Sequence, residues 1–255
     1  MSKFKLITLF FLCLFALFFL LKDEVGLSYS ILLILFFIYT SLVAYGCYEI
    51  QFSFFLKSKN KIKTTKNIVA LTFDDAPSTP HTEKILTILK AENVLATFFC
   101  IGKKIENEPK VISKIIEAGH LVGNHSYSHH YSLDFKSTKN VKEDIQKTNE
   151  LLTKYTGAAI RFFRPPFGVT NPNIAQAVAE LQMISIGWSI RTLDTVLKNK
   201  EALFEKAAKD LQPGAIILLH DFPQITQENL AELIKFIRSK NYEIVRLDEL
   251  LANEE

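Results

Sequence analysis

The sequence predicts an α/β fold of about seven β-α units around a mostly parallel sheet, preceded by one or two membrane helices. Three observations carry that expectation. From Asn67 onward, short β-branched or aromatic runs alternate with longer stretches of helical period, the pattern of repeated β-α units. The residues able to do chemistry fall where the short runs end, which is where such architectures keep their sites. Ahead of Asn67 lie two long runs without a charged residue.

The uncharged runs are Leu6 to Leu21 and Val25 to Tyr48, and neither offers a polar face. Residues 25–48 are long enough to cross a hydrocarbon core of about 30 Å at about 1.5 Å per residue. Residues 6–21 are marginal; their length also suits the core of a secretion signal, but no small-x-small cleavage site lies near Lys22. Lys3 and Lys5 precede the region, and Lys57, Lys59, Lys61, Lys63 and Lys66 follow it. By the positive-inside rule that describes a hairpin with both ends in the cytoplasm. The same basic stretch also serves as a linker beside an anionic bilayer, and a single span puts the following domain outside. The chain divides into a membrane region (1–56), a basic linker (57–66) and one catalytic-sized domain (67–255).

Within that domain the candidate strands are Ile68 to Phe73, Ala96 to Ile101, Leu121 to Gly123, Arg161 to Phe163, Met183 to Gly187, Ala215 to Leu219 and Glu243 to Val245. Amphipathic stretches between them read as helices: Thr82 to Ala91, Pro109 to Ala118, Thr138 to Tyr155, Asn173 to Leu181, Glu201 to Leu211 and Gln227 to Ser239. A net charge of +3, with lysines bunched after the apolar region, excludes a nucleic-acid binder. Cys13, Cys47 and Cys100 sit in or beside apolar runs and form neither a disulfide framework nor a zinc knuckle.

The first strand runs straight into Asp74-Asp75. Neighbours along a strand point to opposite faces, so both carboxylates share one site only where the strand twists out toward Pro77, and close like charges then call for a cation. Read alone, the pair is also a solvated turn or a helix cap. His125 and His129 follow another short strand; one helical turn would bring both rings to one face. Two histidines plus a carboxylate leave coordination positions open on zinc or a related ion. In Phe163-Arg164-Pro165-Pro166-Phe167-Gly168 a stiff turn aims a guanidinium able to hold a carboxylate. A buried strand delivers His220-Asp221, and Asp194 ends the run from Gly187 to Leu193. An imidazole at a strand end is a general acid or base candidate, and a carboxylate can orient it. Trp188 reads equally as site wall or core, while His120 and His130 read as bystanders.

In this order and spacing the segments resemble the polysaccharide deacetylases of carbohydrate esterase family 4, which include chitin and peptidoglycan N-acetylglucosamine deacetylases. The resemblance covers roughly Asn67 to Leu251. It rests on Thr72-Phe73-Asp74-Asp75, His125-Ser126-x-x-His129, Arg164-Pro165-Pro166-Phe167-Gly168 and Leu218-Leu219-His220-Asp221. It implies a distorted (β/α) barrel and a divalent metal, zinc first with cobalt, manganese or nickel as alternatives, held by Asp75, His125 and His129. It implies Asp74 as general base and His220 as general acid, with Arg164 orienting Asp74 and Asp194 supporting His220. A backbone N–H near Phe167 would face the oxyanion, and Leu218 would form part of the acetyl pocket. The expected reaction is hydrolysis of the N-acetyl group of N-acetylglucosamine-type residues in a glycan, releasing acetate. The domain is then expected outside the cytoplasm with its polymer, against the lysine count.

Two departures from the family pattern stand out. Ala76 occupies the place of a usual glycine; if that position needs φ > 0, the methyl costs about 1 kcal/mol. The usual Asp-x-x-Asp-Trp reads Arg191-Thr192-Leu193-Asp194-Thr195, keeping only the second aspartate. They motivate an alternative, a membrane-anchored glycan-binding module with a vestigial site. A metal phosphoesterase is weaker, because no bridging carboxylate set for a second metal is visible.

Overall fold

In the computed structural model, which describes residues 2–255, the uncharged runs become helices α1 (Lys3–Val25) and α2 (Ser30–Tyr48). The break falls later than expected. Helix α1 continues through Lys22, Asp23 and Glu24 and stops at Gly26, whose φ of 68° supplies a left-handed cap. Charged side chains at the end of a span reach water without unwinding the backbone. Both helices are long enough to cross a bilayer, and only 11% and 6% of their apolar windows are buried inside the structure. Neither is therefore a core helix of the folded domain. They pair antiparallel: Thr8 Oγ1 lies 3.0 Å from Tyr39 Oη, and Phe18 packs near Tyr29. The hairpin returns the chain to the side it started from, where the Phe4 N–H donates to the Phe54 carbonyl at 3.1 Å.

Seven strands form one parallel path: β1 (Ile68–Ala76), β2 (Thr97–Cys100), β3 (Leu121–Asn124), β4 (Phe162–Phe163), β5 (Ile184–Ser185), β6 (Ile190–Arg191) and β7 (Ile216–His220). Their order is β5-β4-β3-β2-β1-β7-β6, and β8 (Glu243–Ile244) pairs with the start of β1. The sheet curls into a half-barrel. Around it lie α3 (His81–Ala91), α4 (Gly102–Asn107), α5 (Pro109–Glu117), α6 (Thr138–Thr156), α7 (Pro172–Glu180), α8 (Lys200–Lys209), α9 (Gln224–Ser239) and α10 (Leu247–Ala252). Strand β6 and the short helices α4 and α10 match none of the candidate segments read from the sequence. Two residues show no alternation and six show little helical period, so tertiary pairing alone defines these elements.

Apolar residues on both faces of β1 explain the architecture. Val69, Leu71 and Phe73 join a core with Ile85, Leu89, Leu233 and Ile237 beneath α3 and α9. Ile68 and Ala70 face a second cluster with Phe99, Phe162, Ile186, Ile216 and Leu247. A strand buried on both faces reads as a continuous apolar run, as here. The basic stretch 57–66 is laid along this sheet. Ser58 and Ile62 are buried, while the intervening lysines face outward with the period of two of an extended chain. The Ile62 N–H donates to the Gly214 carbonyl at 2.9 Å. Gly214 has φ 79°, and a β-carbon there would stand 1.9 Å from the Ile62 carbonyl oxygen.

Candidate active site

Register places the two proton-transfer candidates side by side: Asp74 on β1 is the direct partner of His220 on β7. Asp75 follows with φ 70°, a left-handed residue at the end of a strand. That single reversal, tolerated by aspartate better than by most residues, turns both carboxylates into one site. Ala76 is not among the residues with positive φ and is fully buried in the main core. The strain expected at Ala76 is absent; the left-handed position is one residue earlier.

Arg164 is completely buried, and each of its three nitrogens donates a hydrogen bond. Nη1 donates to Asp74 Oδ1 at 2.7 Å and to Thr72 Oγ1 at 2.8 Å, Nη2 to the Gly187 carbonyl at 2.8 Å, and Nε to the Ile186 carbonyl at 3.3 Å. Its guanidinium lies 4.1 Å from the centre of the Phe99 ring. Asp74 is thereby fixed in orientation and compensated in charge. Removing one partner of such a buried pair typically costs about 3–5 kcal/mol.

His125 and His129 converge by a different route from the expected helical turn. The chain leaves β3 (paired to β4 through Asn124 and Phe163) and enters an irregular loop in which Ser126 and His129 both have positive φ. Side chains satisfy its backbone: Asn124 Oδ1 accepts from the Ser126 N–H at 2.7 Å, and Asp144 Oδ1 from the Tyr127 N–H at 2.6 Å. The His125 Nδ1–H donates to the Arg164 carbonyl at 2.8 Å, which leaves Nε2 facing the carboxylates. Nε2 of His129 lies 3.2 Å from Asp75 Oδ1, and that of His125 lies 3.7 Å from it.

One donor atom each from Asp75, His125 and His129 falls within 4.8 Å of the others. Asp75 Oδ1 is buried without a hydrogen-bond donor. Burial, aided by the neighbouring His129, pushes the His125 pKa down to about 3, and burial likewise lowers that of His129. Both rings are therefore neutral, the form that ligates a metal. An unpartnered carboxylate oxygen beside two neutral imidazoles fits a divalent cation.

His220 is held from behind. Its Nδ1–H donates to Asp194 Oδ1 at 2.9 Å, while Asp194 Oδ2 accepts from the His220 backbone N–H and from Thr226 Oγ1, both at 2.7 Å. Burial opposes protonation of His220. The hydrogen bond and charge of Asp194, with Asp74 and Asp75 nearby, outweigh it and raise the pKa above the ordinary histidine value.

These groups surround a cavity of about 250 Å³. Asp74, Asp75, His125, His129, Phe167, Trp188, Leu218 and His220 line it, while Arg164 and Asp194 stand behind Asp74 and His220. Arg191, Thr195, Gly168 and Phe222 also form its wall. Arg191 and Thr195 were legible only as departures from a motif; Phe222 carried no signal beyond lying two residues after His220. Gly168, at φ 73°, is pressed against Trp188, where a β-carbon would meet the indole at 2.5 Å. Asp221 turns away, accepting from Ser78 Oγ at 2.9 Å and from Thr82 Oγ1. His120 accepts the Ala96 N–H at 3.1 Å and His130 caps a short helical turn, so both have structural employment.

Residues 61–186 match the family model described as polysaccharide deacetylase. The chain is 37% identical over 190 residues to the peptidoglycan-N-acetylglucosamine deacetylase PgdA of Listeria monocytogenes. That match covers 74% of this chain and only 40% of the relative's length. It is 30% identical over 196 residues to the peptidoglycan-N-acetylmuramic acid deacetylase PdaA of Bacillus subtilis, covering 75% and 74% of the two chains. Among solved structures it is similar to a mutant of a carbohydrate esterase family 4 pseudoenzyme with restored enzymatic activity, at 31% identity and a TM-score of 0.71. That likeness covers 77% of this chain and 71% of the other.

Proposed function

The chain belongs to the polysaccharide deacetylase family, and on that premise we propose that it hydrolyses the N-acetyl group of amino-sugar residues in a glycan. The observation that carries the reading is the placement of Asp74 and His220 on paired strand ends, beside the Asp75, His125 and His129 donor set. A divalent cation on those three residues, zinc in the first instance, supplies Lewis acidity that lowers the pKa of water and polarises the acetamide carbonyl.

The chain's own residues do the rest. Asp74, aimed by Arg164 and with its charge compensated there, takes the proton of the attacking water. Leu218 and Trp188 wall the space that would receive the acetyl methyl group, and by the family resemblance a backbone N–H near Phe167 would face the developing oxyanion. His220, aimed by its bond to Asp194, gives a proton to the departing nitrogen. The C–N bond breaks, and acetate and a free amino sugar leave.

The test is acetate release from N-acetylglucosamine oligomers by the full chain. Chelation should abolish it and zinc, cobalt, manganese or nickel should restore it, while Asp75→Ala should lose both bound metal and turnover. A metal-loaded protein that releases no acetate from any acetylated glycan would sink the reading.

The hairpin of α1 and α2 anchors the domain in a membrane, with both ends on one side. We place that side outside the cytoplasm, with the glycan polymers for which the relatives are named. Three of the seven lysines that oppose this have work in the fold: Lys59 pairs with Glu254 at 2.5 Å, Lys61 donates to Gln212 at 2.6 Å, and Lys66 to Asn253 at 2.6 Å. A C-terminal phosphatase fusion should be active; a fusion active only with a cytoplasmic reporter reverses the placement.

A further inference from the structure

The wall of the catalytic cavity is in direct contact with the membrane region. Helix α2 ends at Tyr48, and the chain turns at once through a short helical turn, Ile50–Phe52. Ile50 is 1% exposed and packs against Trp188 and Leu218, two residues that line the cavity. From Tyr48 to Ile50 the chain spans at most roughly 7 Å. A second contact is independent of the first. The Thr170 N–H donates to the Cys47 carbonyl at 2.9 Å and Thr170 Oγ1 to the Gly46 carbonyl at 3.4 Å, tying the last turn of α2 to the segment after Phe167 and Gly168. The end of the span is thus docked on two separate pieces of the cavity wall.

The surface around these contacts suits a bilayer interface. Tyr45 and Tyr48, at the end of α2, are exposed, and aromatic residues with a polar tip concentrate at the headgroup level. Beside the cavity, Tyr131 stacks on Phe167 with ring centres 4.5 Å apart. Phe135, in the same turn, is 89% exposed, and that turn is pinned to the docked segment by Asn171 Nδ2 donating to the Asp134 carbonyl at 2.7 Å.

We propose that the cavity is held at the bilayer surface and that its substrate is an N-acetylated amino sugar carried on a membrane lipid. This rests on the deacetylase reading and adds to it which molecule presents the sugar. A domain on a loose tether would sweep a hemisphere and reach polymer at many heights. Docking by Ile50 and Thr170 fixes the cavity at one height, the layer in which the sugar of a glycolipid lies. Confining enzyme and sugar to that layer raises their effective concentration on the order of 10²-fold or more.

The test compares one sugar in two forms, with the full chain reconstituted in phosphatidylethanolamine and phosphatidylglycerol vesicles. N,N′-diacetylchitobiose joined at its reducing end to a dialkylglycerol should release acetate on the order of 10²-fold faster than methyl N,N′-diacetylchitobioside at the same bulk concentration. Equal rates overturn the inference and leave the deacetylase reading standing; no acetate from either, with metal bound, removes both. A second measurement needs no turnover. Trp188 is the only tryptophan in the sequence and sits in the cavity wall. Its fluorescence should be quenched by lipids spin-labelled on the headgroup more than by lipids labelled at the chain end, and absence of headgroup quenching overturns the inference.

Discussion

Two side chains, Asp194 and Ala76, lie behind the cavity wall rather than in it. Asp194 sits behind His220 and raises its pKa, so the imidazolium persists to higher pH than it would alone. A group whose folded pKa is raised contributes stability that is complete below its ordinary value, near 6.5, and is lost as pH rises through the folded value. If His220 is the proton donor, as proposed, catalysis should follow the same direction, since the donor is the charged form. Asp194→Asn should move the alkaline limb of the kcat profile to lower pH and reduce kcat on the order of 10²-fold. An unmoved limb means that His220 is not the donor. Ala76 sits in ordinary strand conformation with its methyl in the core, so restoring the family's glycine relieves no strain. Ala76→Gly should instead cost about 0.5–1 kcal/mol in urea denaturation without raising activity. A gain in turnover would show that the methyl hinders the site.

At the scale of elements, the long strands and helices were legible because their residues carry period and length. The ends of β1, β3, β4 and β7 were legible as sites because Asp74, His125, Arg164 and His220 follow apolar runs directly. What escaped was whatever the chain does by non-local pairing. Strand β6 exists because Ile190 and Arg191 lie beside Ile217 and Leu218. The His125 to His129 spacing suggested a helical turn, yet the loop is shaped by Asp144, a residue of α6 that no local pattern connects to it. Asp144 Oδ1 accepts from the Tyr127 N–H at 2.6 Å and, more weakly, from the Ser128 N–H at 3.5 Å. Asp144→Ala should therefore weaken metal affinity about 10–100-fold, measured by competition with a chelating dye, although Asp144 is no ligand. Unchanged affinity would mean that the loop holds its shape without that carboxylate.

At the scale of the whole molecule, the apolar hairpin and the deacetylase-family domain share a boundary that the charge pattern concealed. Five lysines made residues 57–66 look like a solvated tether, while the alternate positions Ser58 and Ile62 are buried against the sheet. Ile50 lies still earlier, within the region assigned to the membrane by hydropathy, yet it completes a small cluster with Trp188 and Leu218. A soluble fragment that begins at residue 57 cuts this side chain away and exposes the back of Trp188 and Leu218, two residues of the cavity wall, to water. One that begins at residue 49 keeps it. Burying an isoleucine is worth about 1.5–3 kcal/mol, so fragment 49–255 should unfold at a measurably higher denaturant concentration than fragment 57–255. On the proposed function the shorter fragment should also lose more in KM than in kcat, because Trp188 and Leu218 wall the cavity while Asp74 and His220 are held from elsewhere. Equal stability and equal KM for the two fragments would mean that the juxtamembrane turn merely rests on the domain and forms no part of its site.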